Sequence, residues 1–142
     1  MSAKEQRHWW KNGRTKTMEN IKPKRILIIE DEAIVKALEL KFQNAGFKVD
    51  VARDGIEAME KLHASPPDIA LLDLLLPDID GFEVLKKIRA DEYLRNIPVL
   101  VFSNLSDPAG IEKVKSFGVI GYVIKADTNL SDLVEKISVY FK

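Results

Sequence analysis

The chain has 142 residues and a mass of 16.1 kDa, which suits one domain with a single core. Hydrophobic residues make up 46% and charged residues 31%, a composition typical of a soluble folded protein and too apolar for a disordered chain. The formal net charge is zero, and the absence of cysteine excludes a disulfide scaffold, a thiolate zinc site and a cysteine nucleophile.

The charge is unevenly distributed along the chain. Residues 1–25 contain eight lysines and arginines but only two glutamates, a net charge of +6, so residues 26–142 carry −6. Residues 1–23 show no apolar period of 2 or 3.6, and we predict a disordered basic extension. We interpret it as an upstream extension; the alternative is attachment to nucleic acid through its cations and Trp9 and Trp10. We do not expect nucleic acid as a partner.

No targeting or membrane segment is evident. No apolar stretch approaches the roughly 20 residues of a membrane span, and the N-terminus lacks the apolar segment of a signal peptide. We therefore expect a cytoplasmic protein with no membrane partner.

From Lys24 onward, short β-branched runs alternate with segments whose apolar residues recur every three or four positions. The runs predict five strands, at Arg25–Ile29, Lys48–Ala52, Asp68–Leu72, Ile97–Phe102 and Val119–Ile124. The periodic segments predict five helices, at Glu32–Asn44, Gly55–His63, Gly81–Arg89, Pro108–Phe117 and Leu130–Phe141.

The strands are apolar at consecutive positions rather than alternate ones, as at residues 26–29 and 99–102. Both faces of such strands are buried, which indicates a parallel sheet covered by helices on each side. We therefore predict an α/β fold with a doubly wound five-stranded parallel sheet. Ligands of such sheets bind beyond the carboxyl ends of the strands.

Acidic side chains follow two of the predicted strands. Glu30, Asp31 and Glu32 come directly after the first strand, and Asp73 comes directly after the third. Carboxylates that meet at one edge repel each other, unless a cation neutralises them or one has a raised pKa. Oxygen ligands without histidine or cysteine suit Mg²⁺, so the sequence predicts a magnesium site.

Asp73 is the best candidate for a nucleophile at this edge. It ends a strand flanked by leucines, and a carboxylate can accept a phosphoryl group as an acyl phosphate. Ser103 follows the fourth predicted strand and Lys125 follows the fifth. Their hydroxyl and ammonium groups would supply the hydrogen bond and positive charge that phosphoryl transfer needs.

Together these residues resemble the receiver domains of two-component response regulators, in particular the single-domain, chemotaxis-regulator-like members. The matching features, in chain order, are Glu30-Asp31, the run Leu71–Pro77 that contains Asp73, Gly81 four residues after the proline, Ser103, and Gly121–Lys125. The resemblance covers residues 24–142, which we predict to be one receiver domain. It implies a flavodoxin-like sheet with strand order 2-1-3-4-5.

The resemblance implies roles for the residues that match. Asp73 is expected to be the phosphoacceptor, and Lys125 is expected to contact the phosphoryl group. Glu30, Asp31 and Asp73 are expected to hold Mg²⁺ with help from the backbone carbonyl of Leu75.

The resemblance also implies a switch and partners. Ser103 is expected to move toward the phosphoryl group while Tyr122 turns inward. The donor would be a histidine kinase or a phosphotransfer protein, and the fourth helix, fifth strand and fifth helix would dock a partner or form a homodimer. Because the chain ends at Lys142, we expect signalling to a separate protein. We expect no enzymatic activity beyond its own phosphorylation and dephosphorylation.

Two positions depart from the family pattern. Ala126 stands where most receivers have a proline, often joined to the lysine by a cis bond, so the conformation of the Lys125–Ala126 bond is open. Asn104 stands after the switch hydroxyl, where alanine or glycine is usual, and is expected to narrow access for small phosphoryl donors.

Three alternative functions can be weighed against the motifs. A haloacid-dehalogenase-like phosphatase needs a second aspartate where this chain has Leu75, and a flavin carrier needs a serine- and glycine-rich loop where it has residues 30–32. The alternative that stays open is a receiver-like interaction module that is never phosphorylated.

Overall fold

The computed structural model describes residues 22–142. Residues 1–21 of the predicted basic extension, including Trp9 and Trp10, lie outside the described residues. The strands are β1 (Arg25–Ile29), β2 (Lys48–Ala52), β3 (Ile69–Leu72), β4 (Val99–Ser103) and β5 (Gly121–Ile124). The α-helices are α1 (Ile34–Asn44), α2 (Gly55–Ala64), α3 (Gly81–Ala90), α4 (Pro108–Lys115) and α5 (Leu130–Tyr140), and a 3₁₀ turn (Lys125–Asp127) follows β5.

The five strands pair in parallel in the order β2-β1-β3-β4-β5, which confirms the predicted doubly wound, flavodoxin-like α/β fold. Ile29 of β1 lies opposite Leu72 of β3, and Leu72 lies opposite Val101 of β4. This register makes β1 and β3 end side by side. Glu30 and Asp73, the next residues along each strand, are therefore neighbours at one edge of the sheet.

Helices cover both faces of the sheet. Leu27 and Ile29 of β1 belong to a core cluster with buried residues of α2, α3 and α4. Ile26 and Ile28 belong to a second cluster on the opposite face, with buried residues of α1 and α5. Successive side chains of a strand point to opposite faces, so a central strand between two helical layers must be apolar throughout.

Four of the five α-helices in residues 22–142 are preceded by a residue whose side chain accepts a hydrogen bond from a main-chain N–H in the first turn. These capping residues are Asp54 of α2, Asp80 of α3, Asp107 of α4 and Asn129 of α5. Helix α1 begins without such a cap, at Ile34 rather than at the predicted Glu32. Glu32 consequently belongs to the loop after β1 and not to the helix.

Other boundaries differ from the predictions by at most two residues. Strand β4 begins at Val99 rather than Ile97, because Pro98 has no N–H to donate to the sheet ladder. Strand β5 begins at Gly121 rather than at residue 119, and α4 ends at Lys115 rather than at residue 117. Differences of this size are usual at the ends of elements.

In the part of the chain from residue 22 to residue 142, no helix is both long and apolar enough to cross a membrane.

Candidate functional site

Three buried polar residues lie at the carboxyl ends of the central strands. Glu30 follows β1, Asp73 follows β3 and Ser103 ends β4, and each is at most 2% exposed. Among residues 22–142 these are the only polar or charged residues that are buried as whole residues, and all three are site residues predicted from the sequence. Because burying polar groups is unfavourable, their common position points to a functional site rather than to packing.

Three carboxylates converge at this edge. One carboxylate oxygen from each of Glu30, Glu32 and Asp73 lies within 4.8 Å of the others. Asp31, which the sequence predicts as a metal ligand, is exposed and does not belong to this cluster, so its role stays a prediction. Glu32 is not among the metal ligands that the resemblance implies, although it is the third acid of the run after β1.

Lys125 lies at the centre of the carboxylate cluster. Its ammonium Nζ is 2.9 Å from Asp73 Oδ2 and 3.2 Å from Glu32 Oε1, and it also contacts Glu30 Oε1. The lysine side chain is only 5% exposed, and Nζ is 5.7 Å from the ring centroid of Phe102. The Lys125–Ala126 bond is trans, like every peptide bond in residues 22–142. Lys125 therefore reaches Asp73 from a loop with a trans bond.

The charges at this edge shift one another's pKa values. Burial, reinforced by the neighbouring Asp73, raises the pKa of Glu30 to about 7, although Lys125 acts in the opposite direction. Burial also acts to raise the pKa of Asp73, but contacts with Glu30 and Lys125 outweigh it and hold that pKa below its usual value. Burial acts to lower the pKa of Lys125, but Asp73 and Glu30 raise it to about 12. At neutral pH, Asp73 is ionised and Lys125 is charged.

The loop after β3 contributes main-chain groups to the site. The N–H of Leu75 donates a hydrogen bond to Asp73 Oδ1 at 3.1 Å, which fixes one oxygen of the carboxylate. The side chain of Leu75, by contrast, is half exposed. Asp73 is therefore oriented by the main chain on one oxygen and by Lys125 on the other.

The predicted switch residues are joined through Leu105. The N–H of Leu105 donates to Ser103 Oγ at 3.3 Å, and the Tyr122 hydroxyl donates to the Leu105 carbonyl. Tyr122 is partly buried, and burial together with the charge of Asp73 raises its pKa. The movement of Ser103 and Tyr122 on phosphorylation stays a prediction.

The donor set fits a hard divalent cation. Three carboxylates face one ammonium, so the cluster keeps an excess of negative charge when all are ionised. The carboxylate oxygen Oε2 of Glu30 is buried and has no hydrogen-bond partner among the described residues. Carboxylate oxygens without sulfur or imidazole ligands suit Mg²⁺ or a similar ion.

Comparison with known proteins identifies the family. The sequence model of the response regulator receiver domain matches residues 26–138. The chain belongs to the response regulator receiver family. As a receiver of this family, it has a role in two-component signalling.

Two solved structures illustrate the relationship. The receiver is 35% identical to the phosphorylated cyanobacterial phytochrome response regulator RcpA, with a TM-score of 0.73, over 84% of this chain and 91% of that chain. It is 28% identical to the Mn²⁺-bound form of response regulator Rcp1, with a TM-score of 0.75, over 84% of this chain and 94% of that chain.

Curated relatives include larger proteins. The receiver is 35% identical over 103 residues to the transcriptional regulatory protein AfsQ1 of Streptomyces coelicolor, which is 72% of this chain and 44% of that protein. The chain spans less than half the length of several curated relatives that it matches.

Proposed function

We propose that this receiver is a phosphorylation-dependent signalling switch that accepts a phosphoryl group on Asp73. The observation that carries the proposal is the environment of the Asp73 carboxylate, which is buried, ionised and held between the Leu75 N–H and Lys125 Nζ. A fixed, ionised carboxylate is a suitable nucleophile toward phosphorus. The proposed donor is a histidine kinase or a phosphotransfer protein.

Phosphoryl transfer is catalysed mainly by positioning and by stabilising charge on the transferred group. Lys125 is the residue that we expect to balance that charge, because its ammonium already contacts the oxygen Oδ2 of Asp73. Ser103, buried at the end of the neighbouring strand, is expected to donate its hydroxyl to a phosphoryl oxygen. Burial acts to raise the pKa of Asp73, and the Ser103 hydroxyl is among the groups that lower it, after Glu30, Lys125 and the Leu75 N–H.

We propose that Mg²⁺ is the cofactor, held by Glu30, Asp31, Asp73 and the carbonyl of Leu75. The position of Glu32 in the carboxylate cluster makes it a further candidate ligand. When bound, the ion would neutralise negative charge on the carboxylates and on the transferred group. The Mn²⁺-bound form of the similar regulator Rcp1 supports a divalent cation in this fold.

The proposed output is a shift between two conformations. A phosphoryl group at Asp73 adds negative charge beside Ser103 and Lys125 and would favour the conformation in which Ser103 approaches it and Tyr122 turns inward. The surface affected is that of α4, β5 and α5, through which we expect the receiver to dock a partner protein or a second copy. We expect no enzymatic activity of this chain beyond its own phosphorylation and dephosphorylation.

Intact-mass spectrometry tests the proposal. The protein is incubated with Mg²⁺ and either phosphoramidate, acetyl phosphate or a phosphorylated phosphotransfer protein, and its mass is followed with time. We expect a gain of one phosphoryl group in the wild type and none in Asp73→Asn, with an Asp50→Asn control that behaves like the wild type. If no donor produces the gain, the receiver is an interaction module that works without phosphorylation.

A further inference from the structure

A hydrogen bond joins the two loops that flank the site. The main-chain N–H of Ala126 donates to the side-chain oxygen Oδ1 of Asn104 at 2.9 Å, across 22 residues of sequence. Asn104 directly follows Ser103 at the end of β4, and Ala126 directly follows Lys125 in the 3₁₀ turn. The bond therefore connects the neighbours of two proposed site residues.

The 3₁₀ turn has few other restraints on its main chain. The first N–H groups of any helix lack an acceptor within the helix, and the N–H of Ala126 is one of these. Inside the turn, the N–H of Thr128 donates to the Lys125 carbonyl at a long 3.4 Å. Among the hydrogen bonds of residues 22–142, the one from Ala126 to Asn104 is what joins the main chain of this turn to another loop.

The side chain of Lys125 depends on where this turn lies. Its ammonium pairs with the carboxylates of Asp73, Glu30 and Glu32, and it also lies over the ring of Phe102. These carboxylates are the groups that a divalent cation would also engage, so they are not an independent anchor for the lysine. The hydrogen bond to Asn104 restrains the lysine through its main chain and does not compete with a cation.

A second hydrogen bond also reaches the loop after β4. The hydroxyl of Tyr122 in β5 donates to the carbonyl of Leu105, the residue after Asn104. The side chain of Tyr122 thus connects β5 to the loop after β4, and the side chain of Asn104 connects that loop to the 3₁₀ turn. A displacement of Ser103 would shift this loop and therefore affect both hydrogen bonds.

We propose that Asn104 is a positioning residue that places Lys125 at the phosphorylation site and couples it to Ser103. This inference rests on the proposed function and assigns to Asn104 a role beyond limiting access of small donors. Because Asn104 and Ala126 are both exposed, water can replace either partner, so the bond contributes to geometry more than to stability. Small misplacements of a charged group lower the rate of a catalysed step strongly.

The test uses variants that separate size from hydrogen bonding. Asn104→Leu keeps the bulk of the side chain but removes the acceptor, and Asn104→Asp keeps an acceptor oxygen. The matched control is Asn129→Leu, because the exposed Asn129 also accepts a main-chain N–H, that of Asp132 at 2.8 Å, but caps α5 instead of joining two loops.

Two measurements are made on each variant. The first is the NMR signal of the Lys125 ammonium in metal-free protein, which reports the surroundings of Nζ without any phosphoryl donor. The second is the initial rate of phosphorylation at Asp73 with phosphoramidate and saturating Mg²⁺. We expect Asn104→Leu to shift or broaden the Lys125 signal and to lower the rate about tenfold, a modest part of the loss that misplacement can produce.

The control variants decide between positioning and general destabilisation. We expect Asn104→Asp to keep the wild-type Lys125 signal, and Asn129→Leu to lower the melting temperature without changing the signal or the rate. The proposal is overturned if Asn104→Leu leaves the signal or the rate unchanged, or if Asn129→Leu changes both as much. If the wild type accepts no phosphoryl group, the proposed function fails, whereas an altered Lys125 signal in Asn104→Leu still supports placement of the lysine by Asn104.

Discussion

At the scale of single residues, Gly81 shows how closely the start of α3 packs against the main chain of the loop that carries Asp73. A Cβ atom at this position would lie 2.4 Å from the Cα of Leu74 and 2.6 Å from the carbonyl oxygen of Asp73. Both neighbours are main-chain atoms, so the clash cannot be relieved by rotating a side chain. The N–H of Gly81 also donates to the Leu74 carbonyl at 2.9 Å, which holds the start of α3 against the loop that carries Asp73.

We predict that Gly81→Ala lowers the free energy of unfolding by about 1–3 kcal/mol, the usual effect of overpacking. Urea denaturation measures this change. Gly110→Ala in α4 is the matched control, since its added Cβ would meet only ordinary contacts at 3.5 Å or more. Replacing a helical glycine by alanine should instead stabilise the protein by about 0.5–1 kcal/mol. Equal effects of the two variants would contradict the argument from close approach.

The pKa of Glu30 depends on Lys125 as well as on burial. Because the lysine acts to lower the pKa of this carboxyl, we predict that Lys125→Met raises it above the value of about 7. Carbon NMR of labelled glutamate in metal-free protein follows the titration directly. Lys61→Met is the control, because Lys61 pairs with Asp50 and Glu57 away from the site and its loss should leave Glu30 unchanged.

At the scale of secondary structure elements, the N-cap residue Asp80 lies where the loop after β3 meets α3. Asp80 Oδ1 accepts the N–H of Glu83 at 3.0 Å. We predict that Asp80→Ala lowers the free energy of unfolding by about 0.5–2 kcal/mol, the range for loss of an N-cap. Asp80→Asn retains an acceptor and should lose far less. A chemical denaturation series that ranks the two variants equally would rule out capping as the cause.

The ends of α2 and α3 are joined by a pair that titrates. His63 Nε2 lies 2.5 Å from Asp91 Oδ2, and this contact raises the pKa of His63 above its ordinary 6.5 and lowers that of Asp91 below its ordinary 3.8. A raised histidine pKa adds stability that is present below pH 6.5 and lost as the pH rises through the folded value. A lowered aspartate pKa adds stability that is present above pH 3.8 and lost as the pH falls through the folded value.

In the wild type this pair makes stability fall as the pH rises above 6.5 and through the raised pKa of His63. We therefore predict that His63→Gln flattens this fall in stability. The effect should be small and should weaken in high salt, because the His63 side chain is half exposed to solvent. Melting temperatures across pH at two salt concentrations measure it. A variant with the wild-type slope over this pH range would show that the pair does not contribute.

At the scale of the whole molecule, the site links three central strands, so ligand binding there is linked to the stability of the entire fold. If the receiver binds Mg²⁺ only when folded, a concentration ten times the Kd raises the free energy of unfolding by about 1.4 kcal/mol. We predict that the melting temperature rises with Mg²⁺ in the wild type, and much less in Glu30→Gln. Asp50→Asn, in the edge strand β2, should keep the wild-type rise. An equal rise in all three proteins would indicate binding elsewhere.

Arg89 also acts across the molecule, and nothing in the sequence pattern indicates it. Its guanidinium joins the end of α3 to the segment before β4 and to the segment before β5. It donates to the main-chain carbonyls of Arg95 and Ile97 in the first and of Phe117 and Gly118 in the second. Four carbonyls from two loops meet at one side chain only after the helices have packed. An arginine on a helix is ordinarily read as a solvated charge, so this role emerges only from the packed structure.

The predicted strands and most of the predicted site follow from local patterns. Residues 26–29 are apolar at every position, which requires burial on both faces and hence a central strand between helical layers. Once the sheet is parallel, its topology brings strand ends to a common edge. Glu30, Asp73 and Ser103 are for this reason found together without any information about side-chain contacts.

The sequence by itself therefore determined the α/β fold, the edge at which polar groups gather and which strand ends carry them, because hydrophobic periodicity and strand topology set these features. Only the tertiary structure decided that Glu32 rather than Asp31 joins the carboxylate cluster, and that Asn104 accepts the N–H of Ala126. The direction of a loop side chain depends on where the next helix begins and on which main-chain groups are left without partners. Those conditions arise from packing between segments distant along the chain.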